Sequence, residues 1–254
     1  MARGLRGDGV PPVTSTVVPP GQHKLDVLAC GALAGHVREI VARRGWPVAV
    51  RSLPAVLHNR PQKIVIEAER AVVRAQDCGR TVALAYADCG SYGALDELCA
   101  RYGVRRLPGL HCYDVFAGAS RIEAMFRAEP GTYVLTDFLL RSFDRSVLAE
   151  LGLDRFPQLW PDYFGHYRRL VWLAQQPTPA LAAEAERVAG MFGLPLTRVE
   201  TGTGRLEAAL AALVSEAAPP ALSSGAPLTR PSALPSGAPP ARRTAREAGR
   251  TWAA

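Results

Sequence analysis

The sequence predicts an α/β protein built on a mostly parallel, Rossmann-like, doubly wound sheet, with a helical insertion in its C-terminal half. Two observations carry this expectation. Short runs that are apolar on both faces, LDVLAC (25–30) and TVALAYA (81–87), alternate with stretches of helical periodicity. The segments between them are long enough for crossover helices, which join parallel strands in a right-handed sense.

The elements follow in order. LDVLAC is a strand buried on both faces, and Gly31 leads into an amphipathic helix with Leu33, Val37, Ile40 and Val41 on one stripe. WPVAVRSL is a second strand, PAVLHNRPQ a loop, and a helix runs from about Lys63 to Gln76. TVALAYA is the third strand, and Asp88-Cys89-Gly90 turns it into the helix GALDELCARYG. VRRLP is a short fourth strand ending in the loop GLHCYD. After Gly131 come a strand TYVLT and three helical stretches, DFLLRSFDRSVLAELG, DYFGHYRRLVWLAQQ and PALAAEAERVAGMFG. PLTRVE is a late strand expected to insert into the same sheet, closed by the helix RLEAALAALVSE.

Both ends differ from this core. Residues 1–22 lack sustained periodicity, and residues 217–254 repeat Pro, Ala, Ser, Gly and Arg. Such segments bury too little apolar surface to offset the entropy of ordering, so both are expected to be disordered. That leaves 23–216 as a single α/β domain. Of the formal charge of +7, +4 lies in the C-terminal tail, in Arg230, Arg242, Arg243, Arg246 and Arg250 less Glu247. The tail therefore reads as a solubilising appendage, and nucleic-acid binding is disfavoured. No signal peptide or run of about 18 apolar residues is present, so no membrane partner is expected. Five cysteines without a disulfide-scaffold spacing point to reduced thiols and a cytoplasmic protein.

Cys30, Cys89 and Cys112 fall at or just after the predicted carboxyl ends of the first, third and fourth strands. Ligands bind outside those ends in open parallel sheets, and helix N-termini there stabilise thiolates. His111 adjoins Cys112, and His58 lies at the same end. Three thiolates with one imidazole satisfy tetrahedral zinc, whereas three thiolates alone can hold a four-iron cluster with one open iron. Cys30, Cys89, Cys112 and His111 are the metal-ligand candidates. Against them stands packing, since cysteine is also a small buried hydrophobe. Asp88 and His58 are candidate catalytic groups, Asp88 either orienting a ligand histidine or acting as a base.

Asn59 and Arg60 are candidate substrate-binding residues, forming an anion clamp with Lys63; the alternative is a capped helix start with solvated charges. TGTG (201–204) reads as a tight turn. DYFGHYRR reads as an aromatic packing face with a basic edge, or as a substrate-facing wall carrying Asp162 and His166. Cys78 and Cys99 read as surface or packing cysteines. No nucleophile elbow, Walker loop or GxGxxG fingerprint occurs, which disfavours serine hydrolases, P-loop enzymes and standard dinucleotide oxidoreductases.

The motifs LACGALA, LPAVLHNRPQKI, YADCGSYGALDEL, LPGLHCYDVFAG, EPGTYVLTDFLLRSFD and YFGHYRRLVWLAQ, in that order, resemble domain-of-unknown-function family 1638, a bacterial and archaeal family. The resemblance spans about residues 25–213 and places the family's motif cysteines and histidines on Cys30, His58, Cys89, His111 and Cys112. It also implies one-carbon chemistry, through an association with corrinoid-dependent methyltransferase systems. The resulting expectation is a thiolate-rich metal centre, zinc or iron–sulfur, acting on a small-molecule substrate, possessed by an enzyme or by a non-catalytic partner of a corrinoid methyltransferase. A metal-free protein whose cysteines only pack is the remaining alternative.

Overall fold

The structure, a computed structural model, describes residues 24–217. The predicted N-terminal segment 1–22 and nearly all of the tail 217–254 lie outside the described residues. Two parallel sheets form the frame, one four-stranded and one three-stranded.

The first sheet has the order β2-β1-β3-β4, with β1 Leu25–Cys30, β2 Val48–Leu53, β3 Thr81–Ala85 and a two-residue β4, Arg105–Arg106. Every residue of β1 is buried, because β1 pairs on both edges, Leu25 with Val48 of β2 and with Thr81 of β3. Asp26 is the one charged residue in that strand; its Oδ2 accepts from Arg51 at 2.7 Å and Arg80 at 2.9 Å. Helix α1 (Ala34–Arg44) connects β1 to β2, α2 (Gln62–Asp77) connects β2 to β3, and α3 (Ala94–Tyr102) connects β3 to β4. The chain moves one way from β1 and then returns across it, so right-handed crossovers put α1 on one face and α2 and α3 on the other. Contacts of α2 with α3, and of α1 with the last helix, α9 (Gly204–Ala217), agree with that layering.

The second sheet has the order β5-β6-β7: Thr132–Thr136, Arg169–Ala174 and Leu196–Glu200. Its central strand alternates by period two. Leu170, Trp172 and Ala174 join one apolar cluster, whereas Val171 and Leu173 join another. The first cluster is completed by α6 (Asp137–Phe143), α7 (Trp160–Phe164) and α8 (Pro179–Phe192). The second is completed by α4 (Cys112–Ala117) and α5 (Ala119–Ala128), and α4 contacts both β6 of this sheet and α9. Buried Asp137 ties the layers at the end of β5, accepting from Trp172 Nε1 at 2.8 Å and from the Gln176 amide at 2.7 Å.

Several expectations need correction. The late strand 195–200 does not enter the first sheet; β7 is an edge of a separate one. The C-terminal half is thus a second set of βα units rather than a helical insertion. DYFGHYRRLVWLAQQ is not one helix: α7 stops at Phe164, and RLVWLA is the central strand β6. A run buried on both faces carries no period that separates strand from helix, and only its pairing with β5 and β7 decides. Helix α5 has no counterpart in the elements drawn from the sequence. No helix among the described residues is long and apolar enough to cross a membrane.

Gly31 fixes how closely the end of β1 approaches the loop after β2. A Cβ there would lie 2.6 Å from the Ala55 nitrogen and 2.8 Å from the Leu53 oxygen, both backbone atoms that cannot swing aside. At Gly35, inside α1, a Cβ meets nothing within 4 Å. Gly31→Ala is therefore expected to destabilise by about 1–3 kcal/mol, whereas Gly35→Ala is expected to stabilise by roughly 0.5–1 kcal/mol through helix propensity. Chemical denaturation of the two variants measures both signs.

Candidate functional site

The order β2-β1-β3-β4 reverses direction between β1 and β3, and that crevice is where open α/β sheets bind ligands. Cys30 is the last residue of β1, and Cys89 lies four residues beyond β3. Cys112 opens α4. A cavity of about 520 Å³ sits at this edge. Its floor includes Ala32, His58, Cys89, Gly90 and Cys112 from the first half of the chain, and its opposite wall includes Thr136, Ser146, Asp162, His166 and Tyr167 from the second.

The turn after β3 is the most constrained part of the backbone. Cys89 (φ 49°) and Tyr92 (φ 53°) are the non-glycine residues in the left-handed region among the described residues, and both line the cavity. Each such residue costs about 1–2 kcal/mol and persists only where its surroundings impose it. Asp88 does so. Its Oδ1 accepts from Ser91 Oγ at 2.7 Å and from the Gly93 amide at 2.9 Å, and its Oδ2 accepts from the Tyr92 amide at 3.0 Å. The Cys89 amide donates to the Leu110 carbonyl at 2.7 Å, which brings the loop carrying His111 and Cys112 alongside.

Cys30 and His58 form a pair, with Sγ 3.5 Å from Nε2. His58 Nδ1 lies 2.8 Å from the Ala55 carbonyl, so Nδ1 carries a proton there and Nε2 is directed at the sulfur. Burial opposes ionisation of Cys30, but the His58 charge, its hydrogen bond and the Ala32 and Leu33 amides outweigh it and lower the thiol pKa. Burial likewise opposes charging of His58, yet the Cys30 thiolate raises it to about 9. Each member of the pair thus favours the charged form of the other.

The other two thiols behave in the opposite way. Burial, then the charges of Cys112 and Cys30, push Cys89 well above the usual thiol range. Burial, then Cys30 and Asp114, raise Cys112. Each sulfur therefore senses the others, and one thiolate suppresses ionisation of its neighbours. The Tyr86 hydroxyl is buried beside them next to the Cys30 sulfur, its ring stacked on His58 at 5.9 Å between centroids. Burial and the nearby sulfurs raise its pKa far above the phenol range. Among the described residues, no group of three or more His, Cys, Asp or Glu side chains converges on a position for a metal ion.

The structure thus brings Cys89, Cys112, His58, His111 and Asn59 to one cavity, with Cys30 fully buried behind His58. Asp88 stands beside the cavity but spends its carboxylate on the turn. His111 and Asp114 form a reciprocal capping box at the start of α4, and burial lowers the His111 pKa. Arg60 is exposed and absent from the lining, which includes neither Arg nor Lys. Cys78 is exposed, and Cys99 packs in the core of the first sheet with its thiol pushed up to about 11 by burial. The sequence reading passed over Tyr86, Tyr92, Tyr113 and Ser146. Tyr86 and Tyr92 flank the D-C-G-S turn, a usable signal. Ser146 reaches the cavity because residues 144–149 form a π-helical turn, which no local pattern announced.

Fold and site together define an α/β protein with a thiol-floored cavity at the switch point of a parallel sheet. The chain belongs to a family described as protein of unknown function DUF1638, whose model matches residues 52–210. That match includes His58, Cys89, His111 and Cys112; Cys30 precedes it. No curated protein and no solved structure matches the chain.

The Ser91 hydroxyl and two amides hold the Asp88 carboxyl below its ordinary range against the effect of burial. A lowered folded-state pKa means stability that is complete above about pH 4 and is lost as pH falls through the folded value. Asp88→Asn is expected to cost about 1–3 kcal/mol at neutral pH, and the gap to the parent should close in acid. Urea unfolding at pH 7 and pH 3 tests this, and an equal loss at both would contradict it.

Proposed function

We propose that the cavity floor is a thiolate centre in which Cys30, Cys89 and Cys112 hold a soft metal group, and that the cavity above it takes a small organic substrate. The clustering of three buried or half-buried thiols around the buried Tyr86 hydroxyl carries this reading. Burial first, and then the neighbouring charges, oppose ionisation of Cys89 and Cys112, and a bound cation offsets both effects. The sulfurs sense each other yet do not surround one ion position. Either a zinc or an iron–sulfur cluster therefore requires the thiols to draw together around it.

Such a group, when bound, supplies an open coordination position or an electron carrier beside the cavity. The chain's own groups have separate tasks. His58 holds a proton at Nε2 against the Cys30 sulfur. The Tyr86 hydroxyl is placed to donate to a thiolate, which stabilises the charged form. The apolar wall formed by Val134, Phe138, Leu139, Val147 and Leu151 excludes water from the floor. The one-carbon setting and a corrinoid partner rest on the family resemblance.

Anaerobic incubation of the full chain with iron and sulfide is expected to give a broad visible absorbance and about four irons per chain. Cys30→Ala, Cys89→Ala and Cys112→Ala should each abolish it, whereas Cys78→Ala should not. One zinc per chain, bound in preference to iron and sulfide, would replace the cluster by a zinc thiolate site. No thiol-dependent binding of either would sink the metal reading.

A further inference from the structure

The outer part of the same cavity has a composition that the thiols do not explain. Tyr92, Tyr113, Tyr163 and Tyr167 line it, and Asp162 is its one carboxylate. No lysine or arginine lines it, in a chain whose lysines and arginines outnumber its acids by 30 to 23. An anionic ligand would therefore find neither a lysine nor an arginine among the described residues of these walls, whose imidazoles are His58, His111 and His166.

We propose that this outer cavity is an aromatic cage for a small, weakly hydrated organic cation, an onium ion such as a quaternary ammonium. Ring faces attract such ions, and partial removal of water strengthens the attraction. Asp162 supplies the counter-charge at the mouth. Tyr92 is the second, independent sign. It is 87% exposed, an unusual setting for a large aromatic, and its backbone is held in the left-handed region by Asp88. A ring maintained in solvent at the rim, against local strain, is placed to cover a ligand. Tyr167 and Tyr113 are buried at 7% exposure each and form fixed inner walls.

This inference rests on the cavity being the working site, but not on the thiols holding a metal, so the two are tested separately. Calorimetric titration of the full chain with tetramethylammonium chloride is the probe, with tert-butanol as the neutral mimic and acetate as the anion. Binding of tetramethylammonium at least tenfold tighter than tert-butanol is expected, with no binding of acetate. Asp162→Asn and Tyr163→Leu, both at exposed positions, should each weaken it about five- to tenfold, whereas Tyr163→Phe keeps the ring and should stay within about twofold. Glu123→Gln on α5 should change nothing. Equal affinity for the neutral mimic, no binding of the cation, or binding indifferent to Asp162→Asn and Tyr163→Leu would each overturn the cage. Loss of iron or zinc uptake in the cysteine variants, with cation binding intact, would leave the cage standing.

Discussion

The double pairing of β1 is the constraint on which the rest depends. A parallel strand hydrogen-bonded to β2 on one edge and β3 on the other, and buried on both faces, can offer side chains to a ligand only beyond its carboxyl end. Because β2 precedes β3 in sequence but lies on the other side of β1, the connections leave that end in opposite directions and open a crevice. Cys30 closes the strand at the crevice, Gly31 lets the β2 loop pass within van der Waals reach, and that loop brings His58 to the sulfur. The interior arrangement follows from one strand's position.

The same crevice sets the electrostatics. Burial opposes every thiolate here, and His58 offsets that effect at Cys30 but not at Cys89 or Cys112. The site is therefore asymmetric although its three cysteines look equivalent in topology. Cys30 is the thiol whose ionisation its surroundings favour, whereas burial and neighbouring charges oppose that of Cys89 and Cys112. Asp88, whose charge might have acted in the cavity, instead holds the two left-handed residues of its turn. A carboxylate with three donors on it is a poor base and a good clamp.

The second sheet supplies what the first cannot. A single parallel edge gives a floor and two sides, and α4, in contact with both α9 and β6, lets the second half add a roof. Asn59 donates to the Ser146 carbonyl at 3.5 Å, spanning from the loop after β2 to the π-helical turn. Tyr163, Tyr167 and Asp162 of the cavity belong to this second half, and Tyr92 and Tyr113 to the first. Their roles thus depend on how the two halves meet.

The first half of the molecule was legible because its signals are local. Apolar runs ending in Cys-Gly, a helix starting after Pro61 and a D-C-G-S turn all act through neighbours in sequence, so the three cysteines and His58 could be placed at one edge. Tertiary structure alone decided the rest. The run RLVWLA is a strand because β5 and β7 pair with it, the late strand joins a second sheet rather than the first, and Asp162 and His166 face the cavity because the helix that holds Asp162 ends at Phe164. The pairing of Cys30 with His58, and the contrasting ionisation of otherwise similar thiols, depend on distances and burial that no spacing along the chain records. Local chemistry chose the ends of the strands; the packing of two sheets chose what those ends would face.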